Sequence, residues 1–424
     1  MQARSTETGR MANICFFALL LSVCDGGTAT CIQADEVWNA SFDGPICIEG
    51  DLVVTGRRSE DLSFIEQVEA IEGSLWVHDN PDLTVLPRWP SLVRIDGALS
   101  ISENPVLAVV QGFPALQELG GELYVAENPA LLELALATKL PAVGSLFLAI
   151  NSSLVEFHGL PALTQVKGDI RIAFNQSLAT MSLPALVSVG GDFFLTANSA
   201  LQTADFSRLR STQRWTIEDN AALTSLSGFG ALERITVAVV ENNDALTQIS
   251  WTAADVSRLF IASNAELAGV FASSSALPDH IFIEHNPELL ALSGFSGVEV
   301  LEALRVDGND KLAEISALGG LTRVGMLQVT RNSALVGPVE WFPRLEETTG
   351  DVWIFGNPGL DPAAVENLLA RISVAGTTRV GDNSGEDTVF EPCPWPEDGI
   401  CDAALGIRGR GTELCLTDPE DCNA

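Results

Sequence analysis

Gly97-Ala98-Leu99-Ser100-Ile101-Ser102-Glu103-Asn104-Pro105-Val106-Leu107 is answered one period later by Gly121-Glu122-Leu123-Tyr124-Val125-Ala126-Glu127-Asn128-Pro129-Ala130-Leu131. Both stretches hold a Gly, an alternating apolar pair, an Asn, and a Leu three residues after it. The Asn-x-x-Leu unit recurs at Asn80, Asn104, Asn128, Asn151, Asn175, Asn198, Asn220, Asn243, Asn264, Asn286, Asn309, Asn332 and Asn357, at spacings of 21 to 25 residues. Thirteen hits at a near-constant period mark an array of stacked units, each too small to bury its apolar face alone.

The apolar residues five and three places before each Asn, such as Leu75 and Val77, Ile170 and Ile172, or Val352 and Ile354, alternate as in a strand with one face inward. Gly often opens the strand, as at Gly73, Gly97, Gly121, Gly144 and Gly168. Further apolar marks, such as Leu86, Leu92 and Ile95, complete the coil. The pattern predicts a mainly β fold, a parallel β-solenoid of about 14 short coils, counting residues 48–70 as a coil without the Asn. Stacked at the strand spacing of about 4.8 Å, they make a rod of about 65 Å. Each Asn comes at a corner, where it is expected to take left-handed backbone angles and to stack its amide into an internal ladder.

The pattern Gly-x-Leu-x-Ile-x-x-Asn-x-x-Leu resembles the receptor L-domain family, relatives of leucine-rich repeats, over about residues 48–372. That resemblance implies a right-handed, multi-sided β-solenoid with ligand- or partner-binding faces and no enzyme activity. The chain runs longer than a single such domain, so growth-factor receptor function does not carry over.

The 424-residue chain has a net charge of −33 and only 19% charged residues against 46% apolar ones. It can bury a large core, and it offers no basic patch for nucleic acid or an anionic membrane. The eight cysteines lie only near the ends: Cys15, Cys24, Cys31, Cys47, Cys393, Cys401, Cys415 and Cys422. Such placement points to disulfide-pinned caps in an oxidising compartment. Residues 1–23 read as a signal peptide, with Arg4 and Arg10 ahead of an apolar run from Ile14 to Val23. Leu21-Ser22-Val23-Cys24 resembles a bacterial lipobox, which would make Cys24 a lipidation site and the chain an envelope lipoprotein; the alternative is secretion after cleavage near Ala29.

Residues 24–47 then form an N-terminal cap, bridged by Cys31 and Cys47. At the far end Asp361 caps a helix opening at Pro362, whose face of Val365, Leu368, Leu369 and Ile372 suits the last coil. Residues 373–391 read as a linker and 392–424 as a Cys-rich tail, with Cys393, Cys401, Cys415 and Cys422 as its disulfide set. Asp398, Asp402, Asp418 and Asp421 faintly resemble the acidic ligands of small calcium-binding modules of the Notch type; the competing reading is a disulfide knot with solvated carboxylates.

The outward position four before each Asn reads Trp76, Ser100, Tyr124, Phe147, Arg171, Phe194, Thr216, Val239, Phe260, Phe282, Arg305, Gln328 and Trp353. Seven of these thirteen are aromatic against a chain average of 7%, so the row is the candidate partner-binding face. Two places on, Glu218, Glu241, Glu284 and Asp307 read as solvated charge, because a glycosidase pair would need a local cleft and no coil carries a long insertion. Asn151 and Asn175 also head glycosylation sequons, in conflict with a buried ladder. The sequence thus points to an exported, non-catalytic surface-binding or adhesion protein without cofactor, apart from possible calcium in the tail. Its partner is a protein or a glycan, and its membrane contact only a lipid anchor. A self-associating envelope spacer and a carbohydrate-active enzyme are the alternatives.

Overall fold

A computed structural model describes residues 30–39, 42–227, 232–251, 255–272, 278–336 and 341–381. The signal peptide, Cys24, the tail cysteines and the tail aspartates lie outside the described residues.

The described chain is mainly β, a solenoid of about 14 parallel coils. Leu123–Ala126 pairs in parallel with Leu99–Ser102 on one side and Leu146–Ala149 on the other. Identical positions stack without slip, so Leu99, Leu123, Leu146, Ile170 and Phe193 form one inward column. In the coil that begins at Leu99, the shorter strands Val109–Val110 and Glu118–Leu119 form two further sides. In that coil Leu99, Ile101, Leu107, Val110, Phe113, Leu116 and Leu119 all turn inward and are buried. Each such side chain contributes roughly 1.5–3 kcal/mol by leaving water. Aromatic rings fill the first coils, where Trp38, Phe64, Trp89 and Phe113 follow one another at centroid distances of 5.2, 6.4 and 5.9 Å.

The corner differs from expectation in one respect. The left-handed residue is the one before the Asn, from Asp79 (φ 51°) to Arg331 (φ 56°), with Gly308 and Gly356 serving at two corners. The reversal there turns the Asn side chain into the coil, and every ladder Asn is fully buried. In Asn128 the Nδ2 group donates to Ile101 O and Ala126 O, both at 2.9 Å, and to Asn151 Oδ1 at 3.2 Å. The same Asn151 Oδ1 also accepts from the Asn128 amide at 3.2 Å. The ladder thus satisfies both the corner amide and the carbonyls that the turning strand leaves open. Leu131 N closes the turn onto Asn128 O at 3.1 Å, and the turn sends the Leu131 side chain into the core, where it is fully buried. Where a Gly opens the strand it is a packing requirement: a Cβ on Gly144 would lie 2.7 Å from Gly121 O.

Both ends extend further than the sequence suggested. Thr30–Gln33 and Ile46–Glu49 are already parallel strands, and the second pairs with Val68–Ile71. Residues 373–381, expected as linker, continue the solenoid: Ser373–Val374 pairs with Glu347–Thr348, and Thr378–Gly381 with Val352–Phe355. Their polar, Gly-containing sequence hid the register, which rests on backbone pairing. The helix Pro362–Arg371 therefore forms one side of a coil. Asp361 caps it, accepting from Ala363 N at 3.0 Å, and Val365, Leu368 and Ile372 pack on the core.

Cys31 and Cys47 stand opposite each other in register on the first two strands. The two sulfurs are unbridged in this structure. Burial, with Cys31 and Glu72 beside it, pushes the Cys47 thiol up to about 12. Protonated Cys47 makes a poor metal ligand although both sulfurs lie within 4.8 Å of a Glu72 oxygen.

Candidate binding faces and charged sites

The row four places before the Asn divides in two. In the first coils Trp76, Tyr124, Phe147 and Phe194 are partly exposed and Arg171 is exposed. Tyr124 and Phe147 lie 5.9 Å apart in neighbouring coils, and the Arg171 guanidinium sits 4.9 Å from the Phe194 ring centroid. The next row along the strand reads His78, Ser102, Ala126, Ala149, Ala173 and Thr196, so the side chains beside Tyr124, Phe147 and Arg171 are alanines. Trp353, near the far end, is also partly exposed.

In the later coils the expected exposure fails. Phe260 (7% exposed), Phe282 (1%) and Arg305 (3%) are buried. Here the strands Arg234–Glu241, Asp255–Ala262, Val300–Asp307 and Arg323–Thr330 run eight residues instead of four. On this wider face Val237, Arg258, His280, Ala303 and Met326 stand on one flank, while Glu241, Glu284 and Asp307 stand on the other. A central row between two rows of larger side chains loses its contact with water. Val237, Val239, Phe260, Phe282 and Ala303 make a second apolar cluster outside the main core, with Phe260 and Phe282 stacked at 4.7 Å.

The acidic row is likewise drawn toward the protein, with Glu241 and Asp307 buried and Glu218 and Glu284 half-buried. Asp307 is fully buried and holds a network: it accepts from Arg331 Nε at 2.9 Å, from Arg331 Nη2, from Thr330 Oγ1 at 2.6 Å and from Arg305 Nη2 at 3.3 Å. Burial alone would raise its pKa, but the Arg331 hydrogen bonds and the Arg305 and Arg331 charges outweigh that and hold it at about 2. Glu284, His285 and Asp307 lie within metal-ligating reach of one another. Two guanidiniums already occupy that carboxylate and repel a cation, so the group is a structural ion-pair network. Glu241 has no such partner. Burial, with the charges of Glu218, Glu284 and Asp219, raises its carboxyl to about 8, and burial followed by the Asp219 charge raises Glu218 to about 7.

One feature escaped the sequence reading. A groove of about 670 Å³ runs along the corner of the first coils, with Asp79, Glu103 and Glu127 as one wall and Pro81, Pro105 and Pro129 as the other. The left-handed residue swings its side chain outward beside the residue that follows the Asn, so stacked corners raise two parallel ridges. The signal was present as acid-Asn-Pro at 79–81, 103–105 and 127–129. Three of the coils that line it, counting that of Ile150 and Ser152, also carry Trp76, Tyr124 and Phe147.

No protein-family model, curated protein or solved structure matches the chain.

Proposed function

We propose that the protein is an exported, non-catalytic surface-binding protein whose ligand face is the outer surface of its first coils. One observation carries this reading: Trp76, Tyr124, Phe147, Arg171 and Phe194 stand partly or fully exposed in one row, with alanines beside Tyr124, Phe147 and Arg171. Rings held on a rigid sheet with accessible faces suit stacking on sugar rings or anchoring a protein partner, at little entropic cost. The adjoining groove, with three carboxylates on one wall, favours a ligand that also bears cationic groups. The late acidic row supports no glycosidase, because Asp307 is locked by two arginines and Glu241 is out of contact with solvent. Export, and the lipid anchor at Cys24, belong to the same reading and rest on the N-terminal sequence.

A glycan array and a panel of surface proteins, probed with the mature chain, test the proposal. The variant Tyr124→Ser/Phe147→Ser/Phe194→Ser is expected to lose the captured ligand, and Phe260→Leu, in the buried half, to keep it. A ligand bound equally by the triple variant and the wild type refutes this face.

A further inference from the structure

We propose that Thr216, Glu218 and Glu241 form a binding site for a hard divalent cation of the calcium class, bridging two neighbouring coils. Glu218 and Glu241 are register partners on adjacent parallel strands, with backbones about 4.8 Å apart. Thr216 lies two residues before Glu218 and so shares its outward face. Glu241 is 1% exposed, and neither carboxylate oxygen has a hydrogen-bond partner. Thr216 is 2% exposed, and its Oγ1 also lacks a partner. Among the described residues no lysine, arginine or histidine pairs with Glu218 or Glu241, whereas Asp307, three coils on, has its own guanidiniums.

A buried carboxylate is tolerated when a proton or a cation compensates it. A proton shared between Glu218 and Glu241 would draw their oxygens into a short hydrogen bond, and Glu241 makes none. It would also leave Thr216 Oγ1 unsatisfied. A cation over the pair uses every orphaned oxygen at once. The donor set is all oxygen, which selects a hard ion over zinc or copper, and two carboxylates on separate strands suit the loose geometry of calcium better than the strict octahedron of magnesium. Ala262, the register partner of Glu241 on the far side, is small and leaves room for the ion. Glu218 is only partly buried, so the ion and its remaining waters have an approach from that side. This site is independent of the proposed ligand face and adds a structural ion where the sheet passes from its narrow to its wide half.

The test uses the full chain, stripped with EDTA and titrated with terbium. Trp215, which precedes Thr216, is placed to sensitise terbium emission. Sensitised emission is expected, displaced by calcium more readily than by magnesium, and calcium is expected to raise the thermal unfolding midpoint. Glu241→Gln and Glu218→Gln should each weaken calcium binding by about tenfold or more. Glu218→Gln changes a partly exposed group and keeps the test valid if Glu241→Gln misfolds. Absence of any calcium-dependent emission or midpoint shift overturns the proposal. So does wild-type calcium affinity in the variants, which would assign the ion to carboxylates elsewhere, such as Asp398 and Asp402.

Discussion

Replacing Asn175 by Ala removes one rung from the middle of the ladder. Its Nδ2 group donates to Leu148 O at 2.9 Å, Ala173 O at 3.1 Å and Asn198 Oδ1 at 3.1 Å. Its Oδ1 accepts from Asn151 N at 3.1 Å and from Asn151 Nδ2 at 3.4 Å. Counting the longest as marginal, four buried hydrogen bonds at about 1 kcal/mol each give about 4 kcal/mol. The orphaned carbonyls and the Asn151 amide have no water to turn to, which brings the expected loss to about 4–6 kcal/mol. Phe174 keeps its left-handed angle (φ 58°) with less to hold it there. In a stacked array the damage falls first on the adjoining coils. Native-state hydrogen exchange should therefore show lost protection in the strands Leu146–Ala149 and Phe193–Thr196, alongside a lower urea midpoint. Asn175→Asp is the informative control. It keeps the acceptor for Asn151 but points an oxygen at two carbonyls, and is expected to be at least as damaging. A cost below about 1 kcal/mol for Asn175→Ala, with exchange unchanged, would show that the ladder decorates the corner instead of holding it.

The Cβ of a Gly144→Ala variant must displace the neighbouring coil from 2.7 Å, so its urea midpoint should fall well below that of Ala130→Gly on the turn. Arg331→Met leaves buried Asp307 without its two-point partner and should cost about 3–5 kcal/mol by chemical unfolding, with Asp307→Asn in the same background restoring part of it. Because the folded pKa of Asp307 is depressed to about 2, its contribution is fully present above about pH 4 and is lost as pH falls through 2; acid titration of the wild type against Asp307→Asn should separate the two curves by roughly 2 kcal/mol across that window. Asn151 and Asn175, with their side chains in the ladder, should carry no glycan when the folded chain comes from a glycosylating host, as peptide mass mapping can read.

The corner was legible in sequence because it needs specific atoms. Only an Asn side chain supplies both donors and an acceptor at that length, so Asn recurs in every coil, and Gly marks the strand opening in the coils that approach as closely as 2.7 Å there. The left-handed residue before the Asn was not legible, because Asp, Glu, Ile, Phe, Ala, Ser and His all occupy it: the ladder holds the angle, and the residue itself need not. Residues 373–381 were misread for a related reason. Their pairing is a backbone property, and their side chains are largely exposed at the end of the stack, where apolar alternation is not required. Alternation correctly placed Phe260, Phe282 and Arg305 on the outer face, but it carries no information about what stands beside them.

That division of labour explains how one repeat can carry two different faces. The inward columns and the ladder fix each coil independently of its outward residues, so strand length and outer rows are free to drift along the stack. The drift is concentrated near Arg214–Glu218, where four-residue strands give way to longer ones. Before that point short neighbours leave aromatic rings partly in water, and after it larger neighbours close over them. The sheet widens at the N-terminal end of its strands and its outer surface changes from sparse to packed, while on the opposite edge acids stand where the narrow coils hold Ser and Ala. Asp307 meets that change with arginines from its own strand and the next. Glu241 meets it with no side-chain partner, beside Glu218 at the point of transition. If the exposed coils serve a ligand, the transition marks where the binding surface must stop, and an ion held by Thr216, Glu218 and Glu241 would stiffen the sheet at that boundary.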